Sequence, residues 1–312
     1  MTEVVEASFH AMGSDVHVIV VDGAASLLDL ARARIEQLES RWSRFRPDSE
    51  ISALNECAGE AVLVSDDTVA LVTRAIDAWR FTGGSFDATV LGSMLRAGYD
   101  RSFEHVRAAA VARPNSLILA CTDIEVDGNH VTVPAGTGID PGGIGKGLAA
   151  DLVADDVIAA GAAGVCVNMG GDVRVRGIGP DGAGWTIAVE HPWSADPLVH
   201  VGISDGAIAT STTLKRRWTV DGVARHHLID PATGEPSTTD LDLVTVIAGN
   251  AWAAEVLAKA VLIRGSAHPF DLIDGSGARA LVVRNDGAVV VSAGFVGFCN
   301  GVTPPAFVRP EL

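Results

Sequence analysis

Apolar and polar positions divide this chain into short alternating runs and a few stretches of helical period. Val4 to His10 and Asp15 to Val21 alternate with the period of two expected of half-buried strands, with Met12-Gly13-Ser14 as the turn between them. From Ser26 to Trp42 the period changes: Leu27, Leu30, Ala31, Ile35 and Leu38 recur at helical spacing. Pro47 interrupts the segment Ser43 to Asn55, and Asp48 or Ser49 is placed to cap a short helix carrying Ile51 and Leu54. Ser65 to Thr82 reads as another helix, closed by Gly83-Gly84, and Asp87 reads as the cap of a helix starting near Ala88. Arg101 to Pro114 reads as loop and helix. Asp127-Gly128 between the alternating runs of Ile124 to Val133 predicts a hairpin, with His130 an exposed strand residue. Gly164 to Val167 and Val173 to Gly177 read as strands. Trp185 to Glu190 pairs with Leu198 to Ile203, and Ala278 to Ala293 forms a hairpin about Asn285-Asp286-Gly287. The pattern predicts an α/β (α+β) fold of mixed sheets with packed helices, one large unit over residues 1–294 with a smaller N-terminal lobe. Residues 295–312, with glycine and proline, form an irregular tail.

The richest stretch is Asp140-Pro141-Gly142-Gly143-Ile144-Gly145-Lys146-Gly147, an acid and a base among four glycines, running directly into an amphipathic helix. Leu148, Leu152, Val153 and Val157 share one helix face, Asp151, Asp155 and Asp156 the other, and Gly161 stands where a C-terminal cap is expected. Glycine tolerates positive φ and lets backbone approach a ligand, while a helix start favours an anion such as a phosphate. Tight packing alone is the competing explanation. A phosphate-binding P-loop needs Gly where Asp140 stands and Ser or Thr where Gly147 stands, and the spacing of Gly143, Gly145 and Gly147 does not give a dinucleotide fingerprint.

The chain has 312 residues, 48% hydrophobic and 20% charged, with a net charge of −16. Such an acidic chain repels nucleic acid and anionic membrane surfaces, which favours a protein or small-molecule partner. The N-terminus lacks a basic region followed by an apolar run, and Cys57, Cys121, Cys166 and Cys299 are far apart in sequence. Both features fit a cytoplasmic protein with reduced cysteines and no stable membrane association.

The glycine loop, its Ala/Asp helix and the following Asn168-Met169-Gly170-Gly171-Asp172 together resemble the signature of the ApbE family, flavin transferases that move FMN from FAD to a protein threonine or serine. Further motifs match in the same order over Phe9 to Ala293. The resemblance implies a T-fold-related architecture, FAD as substrate and an acceptor flavoprotein carrying a Thr or Ser target. It implies FAD contacts from Met12 in Met12-Gly13-Ser14, from Phe45 where the family usually has tyrosine, from Ser85-Phe86-Asp87, and from Asp140, Lys146 and Leu228. His227, ahead of Leu228-Ile229-Asp230-Pro231-Ala232-Thr233-Gly234, holds the position of the family's functional histidine, and Lys146 is the second implied catalytic group.

Two segments depart from the family pattern. After Ala209-Thr210-Ser211, Thr212-Thr213-Leu214 stands where the family has Gly-x-Tyr. Where the family binds Mg2+ through an Asp and a Thr four residues apart, this chain has Glu255 and Lys259. Three readings follow: an exposed i,i+4 ion pair worth about 0.2–0.5 kcal/mol, a Lys259 ammonium in the metal's place, or a retained Mg2+ on Glu255, the Gly143 carbonyl and water. Two alternative activities stand beside FMN transfer: FAD binding with weak or no transfer, because the Asp/Thr pair is replaced, and hydrolysis of FAD to FMN and AMP.

Overall fold

The computed structural model describes residues 2–101, 121–220, 222–299 and 304–305; Arg101 to Pro114 therefore falls, beyond Arg101, outside the described residues. In chain order, β1 (Val4–Ala11), β2 (Ser14–Val21), α1 (Ser26–Trp42), α2 (Glu50–Glu56), β3 (Ala61–Leu63), α3 (Asp66–Thr82) and α4 (Leu91–Arg96) come first. Next are β4 (Glu125–Asp127), β5 (His130–Thr132), α5 (Gly145–Ala159), β6 (Gly164–Met169), β7 (Asp172–Gly177), β8 (Trp185–Val189) and β9 (Val199–Ile203). β10 (Gly206–Thr212), β11 (Arg217–Val220), β12 (Val223–His226), β13 (Ile229–Asp230), β14 (Glu235–Pro236), β15 (Leu241–Ala248), α6 (Ala251–Arg264), β16 (Arg279–Arg284) and β17 (Val289–Val291) follow. The mixture of helices and antiparallel sheets is the α+β class expected from the alternation.

Two compact units arise from interleaved segments: Met1–Glu36, Lys146–Leu214 and Thr239–Leu312 form one, and Gln37–Gly145 with Lys215–Thr238 form the other. The first is built on an eight-stranded sheet in the order β1-β2-β6-β7-β10-β15-β16-β17, antiparallel at every step. On one face Val173, Val175, Ile208, Leu243 and Ile247 pack with the separate β8–β9 hairpin, through Trp185, Val201 and Ile203. Phe295 and Cys299, expected in an irregular tail, join this core from a 3-10 turn at Phe295–Cys299 and are buried. Helix α6 packs on β10 and β15, where Ala207 and Ala209 alternate with Ile208 and admit a close helix. A strand covered on both sides cannot alternate with polar residues, and β15 is buried along Leu241 to Ile247.

Asp151 departs from the solvent face assigned by helical periodicity. It is buried, and its carboxylate accepts the backbone N–H groups of Ala251 at 2.8 Å and Trp252 at 3.0 Å. The α6 N-cap residue, Asn250, makes no side-chain capping bond, so a carboxylate borrowed from α5 satisfies the first α6 donors. Arg174 stands 3.3 Å from Asp151 on its other side.

In the second unit, Ser49 caps α2 and Ser65 caps α3, each through a hydroxyl that accepts a backbone N–H, and Gly83 closes α3 in the left-handed region. β3, β5 and β4 form a small antiparallel sheet, while β11 pairs with β12 and β13 with β14. Asp87 is not a helix cap: α4 starts at Leu91, and the Asp87 carboxylate accepts the Thr89 N–H at 2.7 Å and the Cys121 thiol at 3.1 Å. The local Asx turn uses the acid before a helix can.

Asp151→Ala leaves two α6 donors without their acceptor and is expected to lower stability by about 1–3 kcal/mol, read as a shift in the urea midpoint; a shift no larger than that of Asp155→Ala would contradict this role.

Candidate functional site

Four charged side chains of the first unit converge where α5 begins. Lys146 bonds Asp172, which opens β7, and donates to Glu255 Oε1 of α6 at 2.9 Å. Lys259, one turn after Glu255, donates to the same Oε1 at 2.9 Å. Glu255 Oε2 accepts the Gly147 N–H at 2.8 Å. Three segments remote in sequence, namely the glycine loop, the turn after β6 and α6, therefore meet in one ionic cluster.

Gly147 makes this meeting possible. A Cβ there would lie 2.5 Å from the Ala251 carbonyl oxygen and 2.7 Å from the Trp252 nitrogen. None of Gly142, Gly143, Gly145 and Gly147 has positive φ, so at Gly147 the missing side chain serves close packing and not a left-handed turn. The anion received by the Gly147 N–H near the start of α5 is the chain's own Glu255.

The cluster is polarised. Glu255 is 0% exposed and Asp172 5%, while Lys146 and Lys259 retain 14% and 12%. Burial pushes the Glu255 carboxyl up, but the Lys146 and Lys259 charges and the Gly147 N–H outweigh it and hold the group near 2. Burial, with the Glu255 charge, pushes Asp172 up to about 6 despite Lys146. Burial disfavours the Lys146 ammonium, but Asp172 and Glu255 prevail and raise its pKa, keeping it charged.

The second unit holds the remaining candidates. Asp140 caps the 3-10 turn Pro141–Gly143 by accepting the Gly142 N–H at 2.7 Å, and pairs with Arg44 at 2.9 Å, both side chains buried. Arg44 also lies 4.2 Å over the Phe45 ring and 4.8 Å over Tyr99, which stacks on Trp218. The Asn55 amide clamps Ile139 through both of its backbone groups. Phe86, Asp87 and Leu228 are buried, whereas Phe45 is 39% exposed. Of the two adjacent histidines, His226 is a structural tie: Nδ1 accepts the Leu228 N–H, Nε2 donates to the Ser237 carbonyl, and burial lowers its pKa. Arg44, Asn55 and Asp151 escape sequence reading because a single buried polar residue leaves no periodic signal. Asp172 was visible only as the end of a motif. In the first unit, Met12 stands at the β1–β2 turn with φ 52, a conformation that residues with a Cβ rarely adopt.

The Glu255–Lys259 pair is not an exposed bridge, since Glu255 is fully buried. Nor does Glu255 fit Mg2+, which needs several oxygen ligands near 2.1 Å. Its Oε1 already accepts two ammonium groups, its Oε2 accepts an N–H, and no part of it is exposed. Unit charges 4 Å apart interact by about 4 kcal/mol at an effective dielectric of about 20, and by about twice that when one is divalent; each ammonium opposes a metal on that scale. Among the described residues no group of three or more His, Cys, Asp and Glu is arranged to hold a metal ion.

Glu255→Gln leaves two ammonium groups facing Asp172 alone and is expected to cost about 3–5 kcal/mol at neutral pH. Because the Glu255 pKa is lowered on folding, its contribution is present above 4.5 and lost as pH falls toward about 2. Urea unfolding of the variant across that window should show a shallower loss than the native chain; an equal slope would contradict the role given to Glu255.

A model of the ApbE family matches residues 12–282. The FAD:protein FMN transferase of Treponema pallidum is 31% identical over 290 residues, 84% of this chain and 78% of that protein. The one from Vibrio cholerae serotype O1 is 30% identical over 240 residues, 74% and 71% respectively. In fold, the ApbE protein of Thermotoga maritima has a TM-score of 0.83 at 26% identity, covering 95% of this chain and 99% of its own. The flavin transferase ApbE from Vibrio cholerae has a TM-score of 0.81 at 25% identity, covering 96% and 100%. The match takes in the β1–β2 turn, the glycine loop and all four residues of the ionic cluster, and the chain belongs to the ApbE family.

Proposed function

We propose that this chain is an FAD:protein FMN transferase whose acceptor is a flavoprotein with a target Thr or Ser. The observation that carries the reading is the meeting of the glycine loop, the turn after β6 and α6 in a cluster that holds two ammonium groups, in a chain related to proteins named for this activity. Family membership alone would give the fold. Two ammonium groups held in place add donors that a diphosphate substrate can use.

In the reaction, the acceptor hydroxyl oxygen attacks the phosphorus on the FMN side of FAD. A new P–O bond forms, the bridging P–O bond breaks, and its electron pair leaves with AMP. The hydroxyl proton passes to His227. Negative charge grows on the non-bridging and leaving oxygens, so fixed cations and an aligned nucleophile are the main requirements. Lys146 is assigned to the phosphates; Asp87 and Asp140, assigned to FAD positioning, act by fixing their own backbone segments, since their carboxylates are already engaged within the chain. FAD contacts are assigned to Met12, Phe45, Ser85, Phe86 and Leu228, as the resemblance implies. His226 is tied into its strand, and His227 holds the position that the resemblance gives to the functional histidine. Mg2+, the metal implied by the family resemblance, would need to displace Lys259 to reach Glu255. The domain is taken as residues 1–294 with the turn Phe295–Cys299 packed into its core, and the setting as cytoplasmic. No helix among the described residues is long and apolar enough to cross a membrane.

Incubation with FAD and a candidate acceptor should give in-gel flavin fluorescence on the acceptor and an equal amount of AMP. AMP without labelling would identify a hydrolase, and FAD binding without AMP would identify a binding protein. His227→Ala is expected to slow labelling about 10²–10⁴-fold with FAD affinity retained; an unchanged rate would remove His227 from the mechanism.

A further inference from the structure

Lys259 completes the charge balance of the cluster and still has donors to spare. Lys146 is shared between Glu255 and Asp172, so by itself it would leave two carboxylates with one positive charge. The second ammonium supplies the missing charge through Glu255. It brings the cluster to two positive and two negative charges, with the carboxylate side chains 0% and 5% exposed and the lysine side chains 14% and 12%. Each ammonium carries three N–H donors. Among the described residues Lys146 commits two of them and Lys259 one, so three remain for an anion. In a chain of net charge −16, such a local balance of charge lowers the repulsion that a polyanion meets.

We propose that Lys259 is a built-in cation for the diphosphate of FAD, and that this chain binds and uses FAD without a divalent metal. The inference rests on the transferase reading above. Glu255 and Asp172 anchor the two ammonium groups from behind, which keeps the charges in place without the exchange that a bound metal undergoes. Lysine suits the task because its ammonium is a compact point charge on a long stem. Lys259 is then a binding group for the phosphates, and Glu255 a positioning residue that acts through it.

The test uses the full chain. FAD affinity is measured by quenching of flavin fluorescence, once in EDTA and once in MgCl2, and Mn2+ binding is followed by electron paramagnetic resonance with and without FAD. The expected result is equal FAD affinity in both buffers and no tight Mn2+. Lys259→Met should weaken FAD about ten- to a hundredfold, Lys259→Arg should retain most of the affinity, and Lys259→Thr should bind FAD better in MgCl2 than in EDTA. A merely structural lysine would give no metal response in the Thr variant. FAD binding by the native chain only in MgCl2, or stoichiometric Mn2+ beside FAD, would overturn the proposal and leave the transferase reading standing. Absence of FAD binding in either buffer would overturn both. The measurements on the native chain decide the matter even if the variants do not fold.

Discussion

The contact between the first turn of α5 and the first turn of α6 is the constraint on which the rest of the first unit depends. It is closer than any side chain allows, and Gly147 supplies the room. It also brings together groups that would otherwise be costly to bury. The Asp151 carboxylate finds the α6 N–H groups, and the Glu255 carboxylate finds the Gly147 N–H and Lys146. Each helix thus supplies an acid to the start of the other, where the backbone offers unpaired donors. The arrangement is reciprocal, so the two helix starts are fixed in register as well as in distance.

This geometry explains why the ionic cluster can be so enclosed. A fully buried glutamate is tolerated only when its lone pairs are taken and its charge is balanced. Two ammonium groups and one N–H meet both conditions here. The same saturation that stabilises the carboxylate removes it as a ligand for a metal ion. The saturation of Glu255 and the fixing of the Lys259 ammonium are therefore one arrangement. In the sequence it shows as Glu255 and Lys259 where the resemblance implies Asp and Thr.

The alternation of the chain was a reliable guide to strands and hairpins. β1–β2, β4–β5, β8–β9 and β16–β17 all pair as their turns require. Serine caps at Ser49 and Ser65 and the left-handed Gly83 were equally legible, because capping is decided within a few residues. Long-range partnerships were not. Helical periodicity placed Asp151 in solvent because it cannot register a second helix arriving from a hundred residues away. Positive φ was a reasonable motive for a glycine-rich loop, yet none of Gly142, Gly143, Gly145 and Gly147 adopts it. The Lys259 role could not be chosen from spacing, since an exposed pair and a buried cluster share the same i,i+4 interval. Phe295 shows the same limit in the core: nothing nearby in the chain announces the sheet face that receives it.

The interleaving of the two units has a consequence for synthesis. The β1–β2 hairpin emerges first, but its sheet neighbour β6 begins only at Gly164, after most of the second unit has been made. At roughly 5–20 residues per second, β2 waits on the order of ten seconds for that neighbour. Throughout this time a strand with Val16, Val18 and Val20 destined for the interior has one bare edge. The ribosome therefore delivers the first unit in an order that leaves it incomplete until β15 and β16 appear near the end, and the nascent hairpin is the place where a chaperone would have most to shield.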